Sequence, residues 1–232
     1  MRSAARTRRS YLASKRALAL SIGVVLPLAP FVALGIDVRH GRTPGWDSAV
    51  ARFLRDLSVQ FPDDLLRIER QASVLLAVLV IVLLYRRRFR PAWFGVASAG
   101  GALALDLLLK PAFPRRLVSG ELQLAYPSGH ALVSFATATT IVLLLWRTRW
   151  RLPAAAAATL AVLVTGLALV DSGWHEPSDV LGGWLLGISW VSALWLLTPI
   201  RVGRRDVFKP NGCPSEPVLR KGAPAGRPER PA

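Results

Sequence analysis

Two histidines stand where phosphate chemistry can occur. His130 closes the run Tyr126-Pro127-Ser128-Gly129-His130, and His175 opens His175-Glu176-Pro177-Ser178-Asp179. The apolar sequence between them is long enough for a helical hairpin that crosses a bilayer twice, which returns both imidazoles to one membrane face. Lys110, the only lysine between residues 16 and 208, ends another apolar run that faces the same side. The remaining histidine is His40.

The spacing suggests a task for each group. His175 and Asp179 are four residues apart, so on a helical turn the carboxylate can hold one ring nitrogen and leave the other to attack. Asp171, four residues before His175, is a second candidate for that orienting role. Ser128 stands where a helix begins, so it can cap the helix while free backbone amides and the positive dipole end face an outer pocket. Gly129 lets the backbone come close to an oxyanion, and His130 can give a proton to a departing oxygen. Lys110, with Arg115 and Arg116 just beyond it, supplies fixed positive charge to phosphate oxygens. Asp106 lies four residues before Lys110, on the same helical face.

Each motif also has a purely architectural reading. Lys110 can snorkel to the interface with Asp106 neutralising it, and Ser128-Gly129-His130 can be an ordinary capped helix start. Zinc is the competing use of two histidines and acids, but no local pair such as HxxxH or CxxC supports it, so no metal or other cofactor is expected.

The elements that position these residues are apolar helices. The 232-residue chain is 52% apolar and its mean hydropathy is +0.37, which places it among polytopic membrane proteins. Six candidate spans are read at 17 to 36, 71 to 85, 92 to 109, 131 to 146, 152 to 170 and 180 to 199, the second and fourth of them short. The expected fold class is all-α, with a short amphipathic surface helix between the first and second spans. There, Trp46, Val50, Phe53, Leu54 and Leu57 recur at helical spacing, with Arg52, Arg55 and Asp56 between them. Such a helix either covers the bundle or lies in the lipid interface and guides a lipid inward. Pro62, Asp63 and Asp64 then read as a break and a fresh helix start.

A net charge of +16 raises the possibility of nucleic acid, but the arginines are segregated by loop. Arg2, Arg6, Arg8, Arg9, Lys15 and Arg16 precede the first span. Arg86, Arg87, Arg88 and Arg90 join the second and third, Arg147, Arg149 and Arg151 the fourth and fifth, and Arg201, Arg204 and Arg205 follow the sixth. This is a topology signal that predicts both termini in the cytoplasm, the histidines on the outer face of a plasma membrane, and no nucleic acid partner. The first apolar run follows a basic stretch without a small-residue cleavage site, and reads as a retained anchor. Cys213, the only cysteine, forms neither a disulfide framework nor a thiolate site. The expected organisation is a basic N-terminus over 1–16, a membrane domain over 17–200, and a disordered tail over 201–232 that is too rich in Pro, Gly and charge to bury a core.

From about Asp106 to Gly183 the chain resembles the type 2 phosphatidic acid phosphatase family of membrane phosphatases, related in active-site architecture to vanadium haloperoxidases. The family pattern is a lysine followed by arginine-containing sequence, then PSGH, then SR-x5-H-x3-D, on a six-helix core. PSGH is intact as Pro127 to His130, and H-x3-D as His175 to Asp179, continuing into Val180-Leu181-Gly182-Gly183. The resemblance implies a metal-independent phosphomonoesterase or pyrophosphatase acting in two steps. His175 forms a phosphohistidine with Asp179 orienting it, and His130 protonates the leaving oxygen and then helps activate water. Lys110, Arg115, Ser128 and the Gly129 amide hold the equatorial oxygens, with Arg116 in reserve.

Two positions depart from the pattern. The arginine-proline of the first motif falls on Leu117 and Val118, and the serine-arginine of the third on Ala168 and Leu169. Polyprenyl pyrophosphate, phosphatidylglycerol phosphate and phosphatidic acid all fit the implied chemistry as lipid substrates. The departures keep open a second function, a non-catalytic lipid-phosphate binder or membrane scaffold. Haloperoxidase chemistry is a third, disfavoured because a small membrane-embedded pocket suits a lipid better.

Overall fold

The computed structural model describes residues 14, 17–42, 44–56, 67–116 and 122–198. The expectations for the basic N-terminus, Leu57, the Pro62 to Asp64 break, Leu117, Val118 and the tail lie outside them, apart from Ser14. Seven helices follow one another: α1 Ala17–Arg39, with a π stretch at Ser21–Val25, then α2 Gly45–Asp56, α3 Arg67–Tyr85 and α4 Phe89–Leu109. After a 3-10 turn at Lys110–Ala112 come α5 Gly129–Leu145, α6 Arg151–Asp171 and α7 Pro177–Leu197. The architecture is helical. Among the described residues the only extended pairing is a two-residue antiparallel ladder, Arg115 opposite Gln123 and Arg116 opposite Leu122, which closes the α4–α5 connection.

Among the described residues, four helical stretches are long and apolar enough to cross a membrane: Ala17–Arg39, Phe89–Ala112, Arg151–Asp171 and Pro177–Leu197. The apolar helices Arg70–Tyr85 and Gly129–Leu145 are shorter. At 1.5 Å per residue, a helix of the length of α5 reaches only about 25 Å, less than the ~30 Å hydrocarbon core. The outward faces of the helices are apolar, with Val32, Ile81, Leu107, Leu108 and Leu160 all exposed. A coat of that extent calls for hydrocarbon around it, and the chain is built as an integral membrane protein.

α5 is the centre of the bundle, with α4, α6 and α7 packed around it. Most of its buried positions are small or hydroxyl-bearing (Ala131, Ser134, Ala136, Thr137, Ala138 and Thr140), which lets backbones approach and supplies interhelical hydrogen bonds. Thr140 Oγ1 donates to Ser98 Oγ at 2.6 Å, Ser98 Oγ to the Ala136 carbonyl at 3.4 Å, and Trp190 Nε1 to the Ser98 carbonyl at 3.1 Å. These bonds tie α4, α5 and α7 at mid-depth. Phe31, Phe94, Tyr126, Leu132, Leu186 and Val191 fill the space between them.

The helix ends sort into two groups. Leu83, Ala92, Ile141 and Leu144 cluster under the arginine-bearing loops at 86–88 and 146–150. α4 and α5 run from there to the opposite end, where Arg39 Nη1 donates to the Ala112 carbonyl at 3.5 Å. Lys110, Ser128, His130 and His175 all belong to that second end.

α2 turns most of its expected apolar stripe away from the bundle. Its buried positions are Asp47 and Leu54, two turns apart on one face, whereas Trp46, Val50 and Phe53 are exposed. The physical reason is that Asp47 anchors the helix to α7 through hydrogen bonds, which turns the larger apolar side chains outward.

Candidate active site

The site is organised by the start of α7. Gly173, at φ +72, provides the left-handed residue that reverses the chain after α6. The His175 N–H then donates to the Leu169 carbonyl at 3.2 Å. Glu176 caps α7, Pro177 occupies its first turn, and Asp179 completes a capping box by accepting the Glu176 N–H on Oδ2 at 3.2 Å. Asp179 is thus held by its own helix start, independently of the His175 side chain. The same Oδ2 lies 3.6 Å from His175 Nδ1, longer than a hydrogen bond, and Nδ1 is a buried atom without a hydrogen-bond partner.

The other carboxylate oxygen faces Arg115. Arg115 Nη2 donates to Asp179 Oδ1 at 2.8 Å and to Ser178 Oγ at 2.7 Å, and Arg115 Nε is buried without a partner. Asp47 closes this cluster from α2, with Oδ2 at 3.9 Å from Arg115 Nη2. Burial pushes the Asp47 carboxyl above the usual carboxylate range, against the pull of its Ser178 hydrogen bonds and the Arg115 charge.

Lys110 and the start of α5 form the second half of the site. Lys110 Nζ and Asp106 Oδ2 make an ion pair of 2.9 Å, while Asp106 Oδ1 has no hydrogen-bond partner. Gly129 lies directly against this carboxylate: a Cβ there would stand 2.6 to 2.7 Å from the Asp106 carboxyl atoms. Ser128 caps α5 by accepting the Ala131 N–H at 3.4 Å, and its own N–H donates to the Asp179 carbonyl at 3.0 Å. That last bond joins the two histidine motifs through backbone. The chains cross so closely that a Cβ on Gly183 would lie 2.6 Å from the Ser128 carbonyl oxygen. His130 is exposed in the first turn, edge-on to Trp174 at 6.0 Å between centroids and within electrostatic reach of His175, Lys110 and Asp106.

Lys110, Ser128, Gly129, His130, Arg115, His175 and Asp179 are therefore gathered at one end of the bundle. Arg116 pairs through its backbone, and its side chain is outside what the structure describes. Ala168 and Leu169, at the serine-arginine positions of the third motif, are buried, and the Leu169 side chain packs in an apolar cluster with Ala131 and Val180. Among the described residues, no group of three or more His, Cys, Asp or Glu is placed to hold a metal ion. Asp47 was not anticipated. Its one signal is an acid seven residues before Leu54, on the same helical face as a buried leucine.

Residues 109–202 match the model of the PAP2 superfamily. An undecaprenyl-diphosphatase of Sulfolobus acidocaldarius is 39% identical over 70 residues, 30% of this chain and 31% of that protein. The match thus spans about a third of that relative. The crystal structure of a transmembrane PAP2 type phosphatidylglycerolphosphate phosphatase from Bacillus subtilis superposes with a TM-score of 0.52. It is 21% identical, and the superposition covers 72% of this chain and 93% of that one. The resemblance read from the motifs holds in family model and in fold.

Proposed function

We propose that the chain is a lipid phosphatase that hydrolyses a phosphate monoester or pyrophosphate through a phosphohistidine on His175. The observation that carries the reading is the placement of Asp179, locked by the α7 cap and by Arg115, with one oxygen 3.6 Å from His175 Nδ1. With Nδ1 turned to the carboxylate, Nε2 is the nitrogen left for attack.

In the first step, Nε2 forms a bond to phosphorus as the bond to the leaving oxygen breaks, and His130 gives that oxygen its proton. In the second, water attacks the phosphorus, its proton passes to His130, and the P–N bond breaks to release phosphate. Lys110, Arg115 through Nε, the Ser128 cap and the Gly129 amide hold the nonbridging oxygens, with Arg116 adding charge. Asp179 stabilises the imidazolium character that His175 gains. The scheme calls for no metal.

In this reading the two shorter helices borrow flanking residues to complete six crossings, both termini lie in the cytoplasm, and the histidines face outward. The loop arginines support that orientation through the positive-inside rule. The similarity to an undecaprenyl-diphosphatase and to a phosphatidylglycerolphosphate phosphatase supports a lipid substrate, with phosphatidic acid a further member of the same class.

Two observations favour a second reading, a non-catalytic lipid-phosphate binder: Leu169 fills a core position, and Arg115 Nη2 is already engaged by Asp179 and Ser178. Phosphate release by the detergent-purified protein separates the two. With chelator present, release from polyprenyl pyrophosphate, phosphatidylglycerol phosphate or phosphatidic acid that vanishes in His175→Ala supports the enzyme. A folded wild type that releases none supports the binder.

A further inference from the structure

Asp47 belongs to none of the three motifs, yet it sits 2% exposed at the base of the polar cluster. Its two oxygens take both donors of Ser178: the backbone N–H at 2.8 Å on Oδ1 and the hydroxyl at 2.6 Å on Oδ2. The Ser178 oxygen in turn accepts Arg115 Nη2 at 2.7 Å, and the same Nη2 reaches Asp179 Oδ1 at 2.8 Å. The connection runs Asp47, Ser178, Arg115, Asp179, and then to His175.

We propose that Asp47 is a positioning residue of this site, which acts through Ser178 to fix the Arg115 guanidinium and the first turn of α7. The proposal rests on the reading above for what the site does, but its hydrogen-bond chain is independent of that reading.

The argument turns on hydroxyl polarity. A serine hydroxyl has one proton to give. With that proton committed to Asp47, the Ser178 oxygen presents lone pairs to Arg115. Only an acceptor-only group at position 47 can take the N–H and the O–H together, and an ionised carboxylate is such a group. A carboxamide of the same shape offers one acceptor and one donor, so its NH2 must face a Ser178 donor. If it faces the hydroxyl, the serine proton has to turn away from position 47, where the Arg115 donor is its neighbour. The swap therefore reverses the polarity of the link without changing its volume. Charge acts in the same direction, since Arg115 is held between Asp47 and Asp179, and the ionisable groups that act on Asp47 are Arg115 and Asp179.

The test uses the full-length, detergent-purified protein as wild type, Asp47→Asn, Ser178→Ala, the double variant and His175→Ala. Two quantities are measured: kcat and KM on a lipid phosphate, and the Kd of inorganic phosphate by calorimetry. Asp47→Asn is expected to weaken phosphate binding and kcat/KM by about tenfold or more, the scale of a hydrogen bond to a charged group. Ser178→Ala should do the same, and the double variant should be no worse than the weaker single, because both act on one connection.

Wild-type kcat, KM and phosphate Kd in Asp47→Asn would overturn the proposal, as would losses that multiply in the double variant. A purely architectural Asp47 would lower Tm and leave kcat/KM per folded molecule unchanged, which also overturns it. Where Asp47→Asn does not fold, Ser178→Ala decides, with wild-type values contradicting the link. A wild type that binds phosphate but turns over no lipid refutes the phosphatase reading, and the Kd comparison still judges Asp47. A folded wild type that does neither overturns both.

Discussion

Asp106 lies against Gly129 so closely that no side chain fits between them: a Cβ at residue 129 would stand 2.6 Å from Asp106 Oδ2, the oxygen that pairs with Lys110 at 2.9 Å. The glycine thus makes room for the ion pair, beside the role proposed for its amide. Gly129→Ala is expected to push the Asp106 carboxylate aside and carry Lys110 with it. Overpacking of this kind costs roughly 1–3 kcal/mol. A raised KM with a lowered kcat, at a Tm reduced by a few degrees, is the expected pattern in steady-state kinetics and thermal melts.

Lys110→Ala leaves Asp106 buried without its cation and removes a positive charge from the proposed phosphate site. Removing one such stabilising group lowers turnover by about 10²-fold or more, and here KM should rise as well because ground-state phosphate loses the same contact. Adding Asp106→Asn should recover stability but not activity, since it relieves the orphaned carboxylate and returns no charge to the substrate. Comparing Tm and kcat/KM across the three variants checks both halves.

Leu169→Arg restores the residue of the family pattern on paper, but the position packs in an apolar cluster with Ala131 and Val180. A guanidinium placed there would overfill that cluster and bury a charge among apolar side chains, which is strongly unfavourable. The variant is expected to lose several kcal/mol of stability and to gain no turnover. A folded Leu169→Arg protein with raised kcat would show that the α6–α7 turn can present a second arginine to the phosphate.

Turnover is expected to survive chelator and to be unaffected by added divalent cations, because the proposed chemistry is carried by His175, His130 and fixed positive side chains. Phosphate release measured with and without chelator at saturating substrate checks this. Loss of activity that zinc or magnesium restores would contradict the phosphohistidine scheme.

The parts of this site legible in sequence were those set by local spacing. Ser128 before an apolar run is a cap whatever surrounds it. The four-residue spacing of His175 and Asp179 puts ring and carboxylate near each other, though His175 precedes the α7 cap rather than sharing a helical turn with Asp179, and the two stand 3.6 Å apart. Asp106 and Lys110 followed from the same arithmetic. Asp47 could not be found that way, because its partner Ser178 lies 131 residues on in the chain and the contact depends on how α2 docks. Which way the α2 stripe faces is hidden for a related reason: the two hydrogen bonds to Ser178 set the bundle-facing side of α2 and leave Trp46, Val50 and Phe53 on the outer side. The helix lengths show a third limit, since α5 is surrounded by other helices and its apolar run is shorter than a lipid-exposed span requires.

The central claim is a covalent phosphate on His175, and rapid quench of the enzyme with substrate labelled in its phosphate tests it most directly. The account predicts a label on the wild-type protein that is acid-labile and base-stable, maps to the peptide carrying His175, and is absent from His175→Ala. Rapid phosphate release with no protein-bound label at any quench time, or label that persists in His175→Ala, would contradict it.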